Sequence, residues 1–346
     1  MYKTMIDTMS ESGRSAQFQV RPGAYVLPLY RNRAGTLADL PSYLSGICRE
    51  VDVIVVDGSP AEIFDQHARM FPECIRHLPV DPALTTQMGK VGGVMTGLNA
   101  THCERVVLAD DDVRYDIATL RCVLARLDTA EVVRPQNYFV PRPWHALWDG
   151  ARSLLNRALG GGDWPGTLAV RRRALLDAGG YRGDVMFENL EMVRTIRAAG
   201  GRESLAQDLY IARRPPSTAQ FFEQRIRQAY DELARPRRAL FFLSLLPAIA
   251  VAAAGGDWLL LLLCGLAAVA VAESGRRRDD GRRHFPAVVS LFAPLWMLER
   301  AVTMWLALGC RVVLGGIPYR GGRVRHAATS SRQLRQAQAA RERVAA

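Results

Sequence analysis

Three consecutive aspartates, Asp110, Asp111 and Asp112, directly follow four apolar residues in the stretch VVLADDDV, residues 106–113. An apolar run of this length is typical of a buried strand, and three carboxylates at its end repel one another unless positive charge lies nearby. Carboxylates one residue apart can hold a hard divalent cation, which in turn binds a diphosphate. An acidic turn or helix cap is the alternative interpretation, because aspartate is common in turns.

Asp57 and Lys90 are the next residues whose type and position suggest chemistry. Asp57 opens the turn sequence Asp57-Gly58-Ser59 after a second apolar stretch. Lys90 is one of only two lysines among 45 basic residues, and it lies in the glycine-rich sequence GKVGG. A lone internal lysine suggests a need for a compact ammonium, and a flexible glycine-rich stretch can approach a phosphate. A structural turn aspartate and a surface lysine are the alternatives.

Apolar stretches at residues 25–29, 53–56 and 106–109 predict strands, and residues 37–49 predict an intervening helix. Apolar strands separated by helices indicate a parallel α/β sheet, whose ligands bind beyond the carboxyl ends of the strands. Asp57 and the three aspartates are therefore expected on the same rim of the sheet.

Three further helices are predicted at residues 144–159, 187–199 and 218–234. In the last of them one helical face is apolar, with the residues Phe222, Ile226, Ala229 and Leu233. A second face is polar, with the residues Gln224, Arg227, Gln228 and Asp231.

The positive charge of the chain is concentrated in its last third. Residues 235–346 carry 17 basic and 6 acidic residues, whereas residues 1–234 carry 28 of each, so the later region accounts for the net charge of +11. Basic residues here flank long apolar runs, which favours a membrane over nucleic acid as the partner.

Residues 239–256 and 258–272 are apolar runs that predict a helical membrane hairpin, with flanking arginines that put both ends in the cytoplasm. A buried helix pair in a soluble core is the alternative. The third apolar region, residues 286–314, contains Glu299-Arg300 in its middle. A re-entrant or interfacial helix is preferred there, because a full span would place this pair near the centre of the bilayer.

The chain termini and cysteines place the protein in a reducing compartment. Residues 1–21 lack the pattern of a signal peptide and are predicted to be a disordered tail, which indicates a cytosolic front domain. The six cysteines show no metal-binding or disulfide spacing and are expected to be reduced and mostly buried. Residues 317–346 are predicted to be a basic cytoplasmic tail.

The order Asp57-Gly58-Ser59, then Gly89-Lys90 with Asn99, then Asp110-Asp111-Asp112 resembles family-2 glycosyltransferases of the GT-A fold. The resemblance covers about residues 22–235 and extends to Trp164-Pro165-Gly166-Thr167, Arg171 and Gly179-Gly180-Tyr181, which look like the acceptor-side loop and following helix. The C-terminal apolar segments with Tyr319-Arg320-Gly321 resemble membrane-bound, ceramide glucosyltransferase-like enzymes that act on lipid acceptors.

The resemblance implies a set of ligand-binding residues. Asp57 would reach the nucleotide base, Lys90 the diphosphate, and Asp110, Asp111 and Asp112 the nucleotide. Within the triplet, Asp110 and Asp112 would hold a Mg²⁺ or Mn²⁺ ion.

Two departures from the family pattern concern the acceptor side. The family usually has Glu-Asp at the start of the catalytic helix, where this chain has Glu188-Asn189 followed by Glu191. Either glutamate could act as the base, and Glu188 is preferred because it lies nearer the helix N-terminus; acids that only complement the helix dipole are the alternative.

The second departure lies in the sequence QRIRQ, residues 224–228, which resembles the QxxRW motif with Gln228 in place of tryptophan. In this motif Arg227 would stabilise the leaving diphosphate and Gln224 would order the acceptor side. Trp164, Trp144 or Trp148 could supply the missing aromatic wall.

The sequence thus predicts an α/β protein with a GT-A (Rossmann-like) nucleotide-sugar domain at 22–235 and a helical membrane module at 236–316. The predicted activity is inverting, metal-dependent glycosyl transfer from a nucleotide-diphosphate sugar, with a UDP-sugar expected, to a lipid or lipid-linked acceptor. The predicted location is the cytoplasmic side of the inner or plasma membrane, as a multi-pass protein. A processive polysaccharide synthase and a catalytically inactive membrane scaffold remain alternatives.

Overall fold

The computed structural model of the protein describes residues 22–319 and 321–345. The tail predicted at residues 1–21 lies outside the described residues. The described strands form an eight-stranded sheet in the order β3-β2-β1-β4-β7-β6-β8-β5 and a separate two-stranded hairpin, β9-β10. The strands are β1 (Ala24–Leu29), β2 (Asp52–Asp57), β3 (Ile75–Pro79), β4 (Arg105–Ala109), β5 (Val113–Arg114), β6 (Val132–Phe139), β7 (Thr167–Arg171), β8 (Glu203–Arg213), β9 (Ile317–Tyr319) and β10 (Gly322–Val324).

Helices cover both faces of the large sheet and form the C-terminal apolar module. The helices are α1 (Leu40–Ile47), α2 (Ala61–Ala68), α3 (Gly89–Ala100), α4 (Ile117–Arg126), α5 (Trp144–Ala158), α6 (Arg172–Asp177), α7 (Glu188–Ala198), α8 (Thr218–Tyr230), α9 (Pro236–Ala254), α10 (Trp258–Arg277), α11 (Gly281–His284), α12 (Val288–Leu291), α13 (Ala293–Val313) and α14 (Ser331–Ala345).

The three predicted strands are confirmed as β1, β2 and β4, which pair in parallel with β1 in the middle. The prediction of a parallel sheet is wrong for the other half, where β7 runs antiparallel to both β4 and β6. Buried polar residues interrupt the apolar pattern there, including Gln136 and Asn137 in β6 and Thr167 in β7. Only short apolar runs, such as Leu168–Val170 in β7, remain there, and an apolar run does not specify whether a strand runs parallel or antiparallel to its neighbour.

The glycine-rich sequence after residue 88 forms the start of helix α3 and not a flexible loop. A Cβ atom at Gly97 would lie 2.3 Å from Cγ1 of Val26 in β1, and one at Gly92 would lie 2.5 Å from the carbonyl oxygen of Leu84. These glycines let α3 pack closely against the sheet. The close packing brings Lys90, in the first turn of α3, next to the end of β4.

Helix α8 buries only part of its apolar face. Phe222 of that face is 54% exposed and Ala229 is buried, whereas Phe221, Arg225 and Tyr230, which do not belong to that face, are buried. The guanidinium of Arg225 donates to Asp149 Oδ1 at 3.0 Å, which lets a charged residue pack inside. The spacing of apolar side chains in the sequence cannot predict that such an ion pair is buried.

Helices α9 and α10 are long and apolar enough to cross a membrane. Only 17% of the most apolar window of each helix is buried, whereas the core helix of a soluble protein would be mostly buried. Leucines such as Leu240, Leu259 and Leu263 are more than half exposed. The predicted hairpin at 239–272 thus corresponds to two helices with mainly outward-facing apolar surfaces.

The predicted helix at 286–314 is a short helix, α12, followed by the longer α13. One face of α13 packs against the rest of the protein, with the buried residues Ala293, Trp296, Arg300, Ala301, Met304 and Ala307. The opposite face is exposed and apolar, with the residues Leu295, Leu298, Val302, Trp305 and Leu306. Helix α13 contacts α8 of the front domain as well as α9 and α10, so it joins the two parts of the chain.

The C-terminal region is folded against the front domain. Strands β9 and β10 pair antiparallel, and α14 packs against α7. The backbone amides of Met186 and Phe187 donate to the carbonyl groups of His326 and Ala327, both at 2.8 Å. The chain therefore returns from the apolar helices to the beginning of α7, where Glu188 lies.

No disulfide bond joins any of the six cysteines, all of which lie within the described residues, as expected. The expectation that most of them are buried is wrong, because only Cys48 is buried and Cys74, Cys122 and Cys264 are exposed.

Candidate active site

Each carboxylate of the aspartate triplet is paired with a cation from a different part of the chain. Lys90 Nζ lies 2.7 Å from Asp110 Oδ1, and Arg213 Nε donates to both oxygens of Asp112 at 2.9 Å. Asp111 forms an ion pair with Arg31, which follows β1. The triplet at the end of β4 is thus tolerated because side chains from three other segments neutralise it.

Lys90 also contacts Glu188, the first residue of α7, at 2.8 Å between Nζ and Oε1. Burial alone would lower the pKa of Lys90, but the carboxylates of Asp110 and Glu188 raise it above its usual range. The ammonium therefore stays charged between the two acids.

For the pKa of Asp112, unlike that of Lys90, the effect of burial is larger than the effect of the neighbouring opposite charge. Burial raises the pKa of Asp112 to about 6, with Arg213 lowering it and the charges of Asp110 and Asp111 adding to the increase. Arg213, which ends β8, is held charged by Asp112 and Asp110 even though burial acts against it. Asp112 and Arg213 thus form a hydrogen-bonded ion pair at the edge of the sheet.

Two cavities meet at Lys90. The first, here called the β1 cleft, has a volume of about 440 Å³ and is lined by Tyr30, Arg31, Gly58, Gln87, Lys90 and Tyr319, among others. The second, here called the Glu188 pocket, has a volume of about 200 Å³ and is lined by Lys90, Asp110, Asp112, Glu188, Gln228 and Arg300, among others. The β1 cleft lies beyond the carboxyl ends of β1 and β2, where α/β sheets bind their ligands.

Gly166 closes the wall of the Glu188 pocket beside the aspartates. Its carbonyl accepts a hydrogen bond from the backbone amide of Asp110 at 2.8 Å, and its own amide donates to Asn137 Oδ1 at 2.7 Å. A Cβ atom at this position would lie 2.7 Å from Asp110 Oδ2 and 2.9 Å from Arg213 Cζ. Only glycine leaves the ion-paired groups where they are.

Asp110 and Asp112 are the residues that would hold a divalent cation, whose remaining ligands would come from the substrate; in the structure their carboxylates contact Lys90 and Arg213. Among the described residues, no group of three His, Cys, Asp or Glu side chains is arranged to hold a metal by itself. Mg²⁺ is commonly bound by one or two carboxylates, substrate phosphates and water, so a pair of hard oxygen ligands is sufficient.

Of the two glutamates proposed as the base, only Glu188 faces a cavity. Glu191 is fully buried, and its Oε2 accepts the backbone amide of Thr329 at 2.6 Å. Asn189 lines the Glu188 pocket and donates to the carbonyl oxygen of Pro165 at 3.1 Å.

The polar side chains of α8 lie in two different places. Gln224 and Gln228 line the Glu188 pocket. Arg227 lies elsewhere: it contacts Glu223 at 3.4 Å and its guanidinium lies over the ring of Tyr319, 5.9 Å from the centroid. Because Tyr319 lines the β1 cleft, Arg227 borders that cleft through this ring, and its contact with a diphosphate stays a prediction.

Asp57 lies beneath the β1 cleft and does not line it. Its carboxylate accepts from the amide of Ser59 at 2.9 Å and contacts His67 and His77 at 2.6 and 3.2 Å. The side chain is fully buried. The predicted contact with a nucleotide base therefore stays a prediction, and the turn residue Gly58 is the part of this motif that lines the cleft.

Among the three candidate tryptophans, Trp164 lines the Glu188 pocket, with its ring 5.0 Å from that of Phe187 and Arg134 stacked above it. Trp144 and Trp148 pack against Phe221 instead. An aromatic wall is therefore present despite the glutamine at position 228.

Sequence reasoning missed four arginines that line the Glu188 pocket: Arg152, Arg213, Arg235 and Arg300. The one available signal in the sequence is the pair Glu299-Arg300 inside an apolar helix, which bears on membrane insertion as well.

No family model matches the chain, and no curated protein sequence matches it. Among solved structures the chain is similar to the mannosyltransferase PcManGT from Pyrobaculum calidifontis in complex with GDP-Man and Mn²⁺. The identity is 19%, the TM-score is 0.49, and the similarity covers 83% of this chain and 88% of that chain.

The chain is also similar to glucosyl-3-phosphoglycerate synthase from Mycobacterium tuberculosis, solved with Mn²⁺, UDP and phosphoglyceric acid. Here the identity is 20% and the TM-score 0.41, over 61% of this chain and 77% of that chain. These values do not place the chain in the family of either protein.

Proposed function

We propose that the protein is a metal-dependent glycosyltransferase of the GT-A type that transfers a sugar from a nucleotide-diphosphate sugar to an acceptor hydroxyl. The observation that carries the proposal is the position of Lys90, which lines both cavities and lies between Asp110 and Glu188. A donor in the β1 cleft and an acceptor in the Glu188 pocket would meet at this ammonium.

The β1 cleft suits the nucleotide half of the donor, for which a UDP-sugar is the expected form. Its volume of about 440 Å³ is in the range of cofactor sites, and Tyr30 and Tyr319 offer aromatic surface for a base. Lys90 and Arg31 add positive charge near the diphosphate. Arg227, held over Tyr319, is proposed to support this end of the site.

The chemistry follows from charge and position. A divalent cation held by Asp110 and Asp112 would offset negative charge on the departing diphosphate. Glu188 accepts the proton of the acceptor hydroxyl, the hydroxyl oxygen bonds to the anomeric carbon, and the bond from that carbon to the diphosphate oxygen breaks. Attack opposite the leaving group inverts the configuration. Lys90 stabilises the same developing charge, and Gln224 orders the acceptor.

The apolar module supports a location at the cytoplasmic face of a membrane. Helices α9 and α10 expose leucines along most of their length, and arginines such as Arg237 and Arg277 flank them. We propose a multi-pass protein of the inner or plasma membrane, in the ceramide glucosyltransferase-like group of family 2, with a lipid or lipid-linked acceptor.

A transfer assay tests this function. The full-length protein in detergent is given labelled nucleotide sugars and a membrane lipid extract, and the glycosylated product is analysed by mass spectrometry and by NMR of the anomeric proton. A single inverted linkage that is lost in Glu188→Gln but kept in the exposed control Glu62→Gln is the expected result. A retained configuration, or full activity in Glu188→Gln, would contradict the proposal.

A further inference from the structure

Arg300 is a buried guanidinium with no carboxylate of the described residues within ion-pair distance. It is 1% exposed, and its one hydrogen bond is from Nη2 to Gln228 Oε1 at 3.4 Å. Its Nε and Nη1 atoms have no partner, although the side chain lines the Glu188 pocket. A buried, unpaired charge is strongly unfavourable, so an anion is the expected counterpart when the site is filled.

Gln228 brings a second guanidinium to the same place. Its side-chain oxygen also accepts from Arg152 Nη1 at 3.2 Å, so one amide oxygen links Arg152 and Arg300. Arg152 keeps an unpartnered Nε. The glutamine that replaces the expected tryptophan thus holds two arginines at one wall of the pocket.

The acids on that wall do not neutralise Arg300, because each has another partner. Asp149 pairs with Arg225 at 3.0 Å, Asp163 with Arg152 at 3.2 Å, and Glu232 with Arg235 at 2.9 Å. Asp231 lines the same pocket but forms no ion pair with Arg300, and burial together with the charge of Glu188 raises the pKa of its carboxyl well above the ordinary value.

Glu299, the neighbour of Arg300 on α13, faces Arg225 at 3.8 Å. Among the described arginines of this wall, Arg300 is therefore the one whose guanidinium forms no ion pair, although Glu299 and Glu232 act on it from beyond ion-pair distance.

Resting on the proposed function, we propose that the acceptor carries a phosphate group, which binds to Arg300 and Arg152 while the acceptor hydroxyl points to Glu188. Paired arginines suit phosphate because each presents parallel N–H donors. Two kinds of acceptor carry such a phosphate group. One is a lipid, whose headgroup would enter the pocket beside the exposed apolar face of α13, and the other is a soluble phosphorylated alcohol.

Two matched pairs of ligands separate phosphate recognition from its source. Phosphatidylglycerol and diacylglycerol in mixed micelles form the lipid pair, and glycerol 3-phosphate and glycerol form the soluble pair. Binding to the full-length protein in detergent is measured by calorimetry, which needs no donor turnover. A failure of the proposed enzyme activity is therefore a separate result from a failure of phosphate binding.

The phosphate-bearing member of at least one pair is expected to bind at least tenfold more tightly than its neutral partner, and Arg300→Met removes the difference. Arg311→Met, at an exposed position of the same helix, keeps it. If Arg300 served only to anchor α13, Arg300→Met would lower the unfolding temperature. If Arg300 is instead a buried charge without a partner, its removal should not lower the unfolding temperature. Equal binding within both pairs, or an unchanged preference in Arg300→Met, would overturn the inference.

Discussion

The ammonium of Lys90 lies 2.8 Å from the carboxylate of Glu188 and links it to Asp110, 78 residues earlier in the chain. One cation thus connects the residue proposed as the base with the aspartates proposed to bind the metal. The position explains why this protein, which uses arginine almost everywhere else, has a lysine here: a compact charge fits between two carboxylates.

Replacement of Lys90 by methionine should reduce kcat/KM for the donor by about 10²–10³-fold, the usual effect of losing one preorganised charge-stabilising group. Steady-state kinetics with varied donor concentration would measure it, and thermal unfolding would show that the variant is folded. Lys90→Arg should recover little activity, because the guanidinium is too large for the same position. Wild-type kinetics in Lys90→Met would contradict the role given to this residue.

Glu188 and Glu191 should respond differently to the same substitution. Glu188→Gln should lower sugar transfer by about 10²–10⁴-fold because it removes the proton acceptor. Glu191→Gln should keep transfer by the folded protein but cost about 1–3 kcal/mol of stability, because it weakens a buried bond to the amide of Thr329. Transfer rates and unfolding temperatures of both variants check this. Equal losses of activity in the two variants would contradict the assignment of the catalytic role to Glu188 and of a structural role to Glu191.

Gly166→Ala should disturb the metal-binding carboxylate without unfolding the protein. The new methyl group would lie 2.7 Å from Asp110 Oδ2, so the carboxylate must move. A displacement of this kind should reduce metal-dependent donor turnover at least tenfold, since misplacement by about 1 Å can cost about 10²-fold. Gly161→Ala is the matched control, because nothing lies within 4 Å of its new methyl group.

Asp57 should contribute stability that depends on pH. Burial would raise its pKa, but hydrogen bonds from His77, Ser59 and His67 hold the pKa well below its usual range. Because the folded pKa is depressed, the contribution is complete above the unfolded value of about 3.9 and is lost as the pH falls through the folded value.

Asp57→Asn should therefore cost about 1–3 kcal/mol at neutral pH and flatten the decrease of unfolding temperature on acidification. Thermal unfolding at neutral pH and at steps through the acid range below about 3.9 measures both effects. Asp65→Asn, on the exposed face of α2, should behave like the wild type; an unchanged acid profile in Asp57→Asn would speak against the hydrogen-bond account.

The native cysteines report on the membrane orientation. Cys74 and Cys122 are exposed on the front domain, and Cys264 lies on the exposed face of α10. In inside-out vesicles an impermeant maleimide should label Cys74 and Cys122, whereas Cys264 should react only after the lipid is removed, because a thiolate does not form in hydrocarbon. Labelling of Cys264 in intact vesicles would contradict a membrane-embedded hairpin.

Strands β1, β2 and β4 and the acidic residues at the ends of β2 and β4 could be predicted because they depend on local apolar runs. Glu188 could be preferred over Glu191 because position along one helix is also local information. In each case the relevant signal lies within a few residues of the side chain concerned.

Lys90 could be predicted because lysine is rare in this chain, but the arginines of the pocket could not, because arginine accounts for all but two of the 45 basic residues and its presence carries no signal. Arg213 and Arg300 reach the pocket from a strand and a helix more than 100 residues after Asp110, and only the tertiary fold brings them there. The burial of Arg225 in α8 could not be predicted for a similar reason, since it depends on the ion pair with Asp149, 76 residues away in the chain.

Donor turnover with and without metal is the most direct test of the account. Nucleotide release from a panel of nucleotide sugars would be measured in Mn²⁺ or EDTA for the wild type, Asp112→Asn and the surface control Asp65→Asn. The account predicts metal-dependent release from one donor, lost in Asp112→Asn and retained in Asp65→Asn. Release that continues in EDTA or in Asp112→Asn, or no release from any donor with lipid extract present, would contradict it.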